Sequence, residues 1–459
     1  MIVSHPLTQE ERKRSQKNYL CFGLINGLSY ACLGETIIVL LAVQMHMPDV
    51  LITFVGAMLY IGFLLLPLGV RQTARSGAAQ SQATFWICRN ISALMAAVSA
   101  ILAQYFPVFA WCLLLFSAFM FYGFRAAGVV LSLPLIGEIT TDDDRSQVVG
   151  NAAGCFYFTG VIMLLVVSYL LNLSTSIWVL CGVVVFGAAM GVTASRFIRA
   201  ICETDAIRES AKRPILPVWK EVRNNPMIRQ FLIAGFCKNL AVILMIPASI
   251  LYLKKGFGFS DAQAVLFSAA QICASFLSSC ISGKIIAKTG PRLAMIASCC
   301  ICLLVSVLWI LAPFTGTGIW QCILSILIFF LCGTAVGTSD NAVSCYFLMS
   351  VPKNQQIAGS VATNVIQGAG AGISAMAISS VLLWLAGYLT PFCVKTFSLS
   401  AYEGSLSITY KLFFSLVALV QIFAVIQSWR LKTIITAYRE NHGEEGVKRT
   451  VESGSKSAH

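Results

Sequence analysis

Charge is the scarcest property of this 459-residue chain: Asp, Glu, Lys and Arg make up 11% of it, against 58% hydrophobic residues. Soluble domains carry about 25% charged residues, so the shortage excludes a soluble globular fold. Histidine is almost missing as well. The four present, His5, His46, His442 and His459, fall in polar tails or a loop, which leaves every apolar stretch without a His base or a His-rich metal site. A nucleotide-binding loop is absent, because Gly283-Lys284 is followed by Ile285 where G-x-x-x-x-G-K-[ST] requires a hydroxyl. No metal or organic cofactor is implied. A large sensory domain is not expected either, since the polar start, MIVSHPLTQEERKRSQK, and the polar end, Glu452-Ser-Gly-Ser-Lys-Ser-Ala-His459, are both short.

What is present is apolar sequence in long runs. Each is long enough, at about 1.5 Å per helical residue, to cross a hydrocarbon layer of roughly 30 Å. Twelve such spans are predicted: residues 19–43, 50–70, 83–104, 108–137, 148–171 and 176–197, then 227–253, 261–286, 292–314, 319–349, 358–388 and 410–433. The fold class is therefore an all-α membrane protein. The first apolar run is too long for a signal-peptide core and lacks a small-residue cleavage site, so it is expected to be retained. Cysteine is plentiful at 17, yet all but Cys202 and Cys393 lie inside apolar runs, where free Cys behaves as a small hydrophobe.

The net charge of +13 could suggest nucleic acid, but Lys and Arg sit between the spans and not on an aromatic-rich basic face. Of the 32, 25 lie in or beside the tails, loops 2–3, 4–5, 8–9 and 10–11 and the segment after span 6; four, Lys254, Lys255, Lys395 and Lys411, lie on the other side. Lys and Arg collect in cytoplasmic loops, so both termini are expected in the cytoplasm, with the chain in the plasma (bacterial inner) membrane. Five segments follow: an N-terminal tail to 18, a six-helix bundle over 19–197, a linker over 198–226, a second bundle over 227–433 and a C-terminal tail over 434–459. The interior prolines Pro214 and Pro217 forbid one continuous helix in the linker.

The halves also read as copies. Arg75-Ser-Gly77 in loop 2–3 and Lys288-Thr-Gly290 in loop 8–9 are 213 residues apart, as are Asn26 and Asn239; Arg145 to Gly150 aligns with Asn354 to Gly359 at an offset of 209. Such internal duplication is common in secondary transporters.

Twelve spans split six and six by a basic linker, with Gly-basic turns after spans 2 and 8, resemble the major facilitator superfamily over nearly the whole chain. Gly283-Lys-Ile-Ile-Ala287-Lys288-Thr-Gly290-Pro-Arg292 is similar to that family's loop signature G-x-x-x-D-R-x-G-R-R, with Ala287 in place of the acid. In loop 2–3 only Arg75 and Gly77 remain, Ala74 standing for the acid and Ala78 and Ala79 for the basic pair. Trp219 to Pro226 looks like the amphipathic lead-in to the family's seventh helix, and the proline of its antiporter motif is missing after Gly154 in span 5. The resemblance implies two pseudo-symmetric bundles, transport by alternating access, a cavity lined by spans 1, 4, 7 and 10, and gating loops that carry Arg75, Gly77, Arg145, Gly283, Lys288, Gly290 and Arg292.

An ion at the bilayer centre costs about 2.5 to 3.5 kcal/mol on insertion scales and is rarely found without a partner or water. Five residues bear on this: Glu35, Arg89, Arg125, Lys238 and Asp340, of which all but Arg89 fall on spans 1, 4, 7 and 10. Arg89 is expected to snorkel to the interface. Lys238 and Asp340 each lie roughly 14 to 17 Å from the inner ends of their helices, and Glu35 and Arg125 about 24 and 18 Å, so each half is expected to hold one acid and one base. Glu35 is the favoured coupling acid, with Asp340 the other candidate. Asn26, Tyr30, Arg125, Lys238, Asn239, Asn341, Asn364 and Gln367 are the expected solute-binding residues, with interhelical hydrogen bonding the alternative for each uncharged one. Gly333, Gly337, Gly368, Gly370 and Gly372 suit helices that approach closely and move.

These features point to a monomeric secondary transporter that moves a small organic solute, anionic or zwitterionic by preference, with protons or Na+ as coupling ion. Its partners are that solute and the lipid bilayer, not nucleic acid. A transport-inactive sensor or scaffold and a polytopic intramembrane enzyme remain the alternatives.

Overall fold

A computed structural model describes every residue except 1, 49–50, 52–54, 56–57, 60, 175, 213–223, 254–256, 258, 260, 313–317, 353–354, 398–404 and 433–459. Pro214, Pro217 and Trp219 of the linker and the whole C-terminal tail lie outside the described residues. Among the described residues ten helices are long and apolar enough to cross a membrane, corresponding to spans 3 to 12. Span 1 starts earlier than expected, as the helix Gln9–Leu33, and resumes as Glu35–Gln44 after Gly34 adopts extended backbone. Its early start follows from a capping box: Thr8 and Glu11 satisfy each other's free backbone amides. The described end of span 2 is a 3-10 turn, Gly62–Leu65, followed by the helix Leu66–Ser76.

Spans 3, 5 and 6 are the single helices Ala78–Leu102, Arg145–Leu173 and Ile177–Arg199. Span 4 is interrupted, as Pro107–Val129 and then Ser132–Ile139. The cause is Pro134, which has no amide hydrogen for the carbonyl of Val130. In the second half, spans 7 to 10 are Pro226–Leu251, Asp261–Thr289, Pro291–Leu311 and Ile319–Ser350. Span 11 begins as Gln356–Thr363, widens into a π-helical stretch at Asn364–Gly370 and continues as Ala371–Phe397; span 12 is Ser405–Trp429. The turns before spans 3 and 9 have the same backbone shape, Gly77 at φ +82° and Gly290 at φ +79°, a left-handed conformation that favours glycine. The two loops match in conformation as well as in sequence.

Each half has its own apolar core. In the first, Cys32, Leu41, Ala100, Leu114 and Leu180 bring spans 1, 3, 4 and 6 together. In the second, Met245, Phe267, Trp309, Phe329 and Phe414 join spans 7 to 10 and 12. Two further clusters cross between halves near the linker: Leu135 and Ile139 meet Ile357 and Val361, and Ile136 and Val149 meet Phe231, Tyr346 and Leu348. Beyond span 6, Glu203–Thr204 pairs in parallel with Ile2–Val3, and the helix Asp205–Lys212 packs on the linker-side ends of spans 2 and 11.

Glycine sets how closely the helices approach. Gly27 rests on the carbonyl of Phe156, Gly69 on that of Ala127 and Gly333 on that of Gln271, with no room for a Cβ. Membrane helices associate through such small-residue contacts because lipid supplies no hydrophobic drive between them. A leucine at Gly333 is therefore expected to lower the melting temperature of the detergent-purified protein, since overpacking costs about 1 to 3 kcal/mol. Leu327→Ala, on the exposed face of the same helix, is the control that leaves it unchanged.

Candidate functional site

The best-connected polar group within the spans lies where the halves face each other. Lys238 of span 7 is 3% exposed; its ammonium donates to the Ser339 hydroxyl at 3.0 Å and stands 3.6 Å from the Asp340 carboxylate of span 10. The other carboxylate oxygen of Asp340 accepts a hydrogen bond from the Tyr157 hydroxyl, 3.2 Å away on span 5 of the opposite half. Although spans 5, 7 and 10 converge on it, the Asp340 side chain is 51% exposed. A carboxylate so placed faces an open cleft between the halves.

Across that cleft the first half presents a cation. The Arg125 guanidinium of span 4 lies over the Tyr30 ring of span 1, 5.5 Å from its centre. Tyr30 packs at 5.3 Å on Phe156, which packs at 5.5 Å on Tyr157, so tilted rings connect Arg125 to Asp340. Glu35 opens the second helix of span 1; its side chain, and with it the expected pairing to Arg125, lies outside the described residues.

Arg89 corrects the expectation of snorkelling. It is 1% exposed, with its guanidinium 5.4 Å from the centre of the Trp86 ring and 4.9 Å from that of Phe121. One of its nitrogens donates to Asn26 Oδ1 at 3.3 Å. The reason is span 3's own face: Trp86 and Arg89 both point into the first-half interior, where Trp86 also donates to Asn26.

The amides predicted to bind solute mostly tie helices together. Asn26 serves Trp86 and Arg89. Asn239 donates to the carbonyl of Gln367, and Gln367 to that of Phe231, which clamps span 7 to the π-helical part of span 11. Asn341, 1% exposed, donates to Ser279 and Ser282 of span 8. Asn364 donates back to Ser360 within its own helix. Tyr30, Arg125, Lys238 and Asp340 come together at the cleft; Asn26, Asn239, Asn341, Asn364 and Gln367 are engaged in packing around it.

On the linker side the halves close. With Pro134 unable to donate, the Val130 carbonyl accepts from the Ser360 hydroxyl of span 11 at 2.6 Å. Gly137 lies against Gln356 and Leu348, and Gly150 of span 5 meets Gly283 of span 8 backbone to backbone. The remaining gating-loop residues stand around this closure. Arg145, 6% exposed, bonds Asp142 at 2.7 Å; Arg292 donates to the Trp429 carbonyl at 2.6 Å; Arg75 and Lys288 are exposed at their turns.

The sequence profile of the Major Facilitator Superfamily matches residues 19–375. The chain belongs to the Major Facilitator Superfamily. No curated protein matches it, but solved structures share its fold. The proton:xylose symporter XylE bound to 6-bromo-6-deoxy-D-glucose is similar at a TM-score of 0.67 and 12% identity, covering 93% of this chain and 97% of that one. A bacterial homologue of the iron transporter ferroportin, outward-facing with soaked iron, gives 0.67 and 12%, covering 91% and 98%. The human organic anion transporter MFSD10 gives 0.65 and 14%, covering 91% and 99%. Membership of this superfamily places the protein among transporters.

The superfamily's loop signature expects an acid beside loop 2–3, and the structure supplies one that sequence reasoning missed. Glu203, 1% exposed, accepts hydrogen bonds from the amides of Ala78 and Ala79 at 2.8 and 3.1 Å, capping span 3 against Gly77. Thr204 donates to Glu138 at 2.7 Å, fastening the same strand to span 4. Glu203 is separated by 125 residues from the amide it caps, so no local signal pointed to it. Burial raises its carboxyl to about 7, against the lowering effect of the two amide hydrogen bonds. A carboxyl raised in the folded state contributes stability below its unfolded value of 4.5 that is lost as pH rises through about 7. Hydrogen exchange at Ile2–Val3 and Ala78–Ala79 is therefore expected to quicken between pH 4.5 and 7 beyond the intrinsic rate, and Glu203→Gln is expected to flatten that dependence.

Proposed function

We propose that this protein is a secondary active transporter that moves a small organic solute, anionic or zwitterionic, by alternating access, coupled to protons through Asp340. The observation that carries the reading is the half-exposed Asp340 carboxylate, held by Lys238 of its own half and by Tyr157 of the other. An acid reached from water, paired with a base and bonded across the moving interface, can join a change of protonation to a change of contact between the halves. Glu35 is the second candidate for the coupling acid, and Na+ the alternative coupling ion. The closed linker side and the exposed Asp340 fit an outward-facing state. The charge bias of the loops then puts the linker and both termini in the cytoplasm, in the plasma (bacterial inner) membrane. The monomer is the working unit, with bundles over 19–197 and 227–433 joined by the linker 198–226. XylE is named as a proton symporter and MFSD10 as an organic anion transporter, which agrees with coupling and charge class at the level of a shared fold.

The test is uptake of radiolabelled organic anions, amino acids and sugars into proteoliposomes with and without an inward proton gradient. Stimulation by the gradient is expected in the wild type and in Glu35→Gln, and its loss, with solute exchange at zero gradient retained, in Asp340→Asn. Uptake that ignores the gradient, or stimulation that survives Asp340→Asn, contradicts coupling at Asp340.

A further inference from the structure

Among the described residues the two faces of the cleft differ in charge. Asp340 already has Lys238 at 3.6 Å, so the second half presents a nearly neutral pair. In the first half, no carboxylate among the described residues lies within ion-pair distance of Arg125 or Arg89. Arg89 is 1% exposed, and its Nε and Nη2 have no hydrogen-bond partner among the described residues. Arg125 is only half-buried, and its one described engagement is the face of Tyr30. Intramembrane cations without a counter-ion are rare, and a guanidinium offers a planar fork of donors that matches a carboxylate.

Beside that fork the wall is aromatic. Tyr30 is 40% exposed. Phe156 stands at 51° to it and Tyr157 at 71° to Phe156. Rings set at such angles present both faces and edges, the arrangements in which aromatic groups attract one another. A carboxylate held at Arg125 would lay the rest of its molecule along these rings toward Asp340.

We infer that Arg125, Tyr30, Phe156 and Tyr157 form a subsite for an aromatic or otherwise planar conjugated carboxylate, whose anionic group pairs with Arg125. The buried charge of Arg89 adds to the attraction from behind. This specifies the solute class of the proposed transporter and rests on the cleft being its solute site. A glucose-like solute would use neither feature, and an aliphatic carboxylate only the pairing with Arg125.

The test is equilibrium binding of radiolabelled benzoate to the detergent-purified full chain, with no gradient applied and folding checked by thermal melting. Benzoate is expected to bind. Unlabelled cyclohexanecarboxylate is expected to compete about tenfold less well, and benzylamine and xylose not at all. Arg125→Gln is expected to weaken binding about tenfold or more, the loss of a charged hydrogen-bonding partner; Arg125→Lys, which keeps the charge, retains part of it, and Tyr30→Leu loses the preference for benzoate over cyclohexanecarboxylate. Failure of folded wild type to bind benzoate, competition by cyclohexanecarboxylate or xylose equal to that by benzoate, or unchanged binding in Arg125→Gln overturns the inference. If gradient-driven uptake of another solute persists in that event, the proposed transport still stands. Benzoate binding at Arg125 without uptake of any solute supports the subsite and contradicts the transport reading.

Discussion

An ion inside the hydrocarbon layer must find either an opposite charge or water, and the arrangement of this protein follows from how it meets that demand. Lys238 and Asp340 meet it in both ways. The base is 3% exposed and leans on Ser339 and Asp340, while the acid is half open to the cleft. A pair that is buried at one end and wetted at the other has to sit at the boundary between helices and a solvent-filled space. That boundary is where the two halves face each other.

Closure on the linker side joins backbone contacts to apolar ones. Glycines at 150 and 283 let spans 5 and 8 of opposite halves meet without side chains between them, and the carbonyl freed by Pro134 is taken by Ser360 of the other half. These contacts stand beside two apolar clusters that also cross between the halves, while each half keeps a separate apolar core of its own. Two bundles that each carry their own core can rock against each other. Glu203 and the strand it lies on hold the linker against span 3, in the neighbourhood where the loop 2–3 signature has lost its acid.

Much of this was legible in the chain. Apolar runs marked the spans, and the constant offset between Arg75-Ser-Gly77 and Lys288-Thr-Gly290 marked turns that prove alike in backbone conformation. The depth of Lys238 and Asp340 along their helices anticipated their meeting, because rise per residue alone decides whether two groups share a level. What depth does not reveal is direction around the helix. Asn26, Asn341 and Gln367 lie at suitable levels yet bond neighbouring helices, and Arg89 turns inward between Trp86 and Phe121 instead of reaching for the interface. The break at Gly34 and the π-helical stretch of span 11 depend on packing, which a hydropathy pattern does not carry. Glu203 was hidden by distance in sequence.

If the halves rock about the Lys238–Asp340 level, as the proposed transport requires, pulsed electron-spin distance measurement will register it. One label pair would sit at the linker-side turns, Arg75→Cys and Lys288→Cys, and another on the opposite side at Tyr105→Cys and Ile319→Cys, all exposed positions. The exposed Cys112, Cys273 and Cys300 would be replaced beforehand. On adding the transported solute, the linker-side distance is predicted to lengthen in a fraction of molecules while the opposite distance shortens in the same fraction. Distances that stay fixed on both sides, or that change together in the same direction, contradict it.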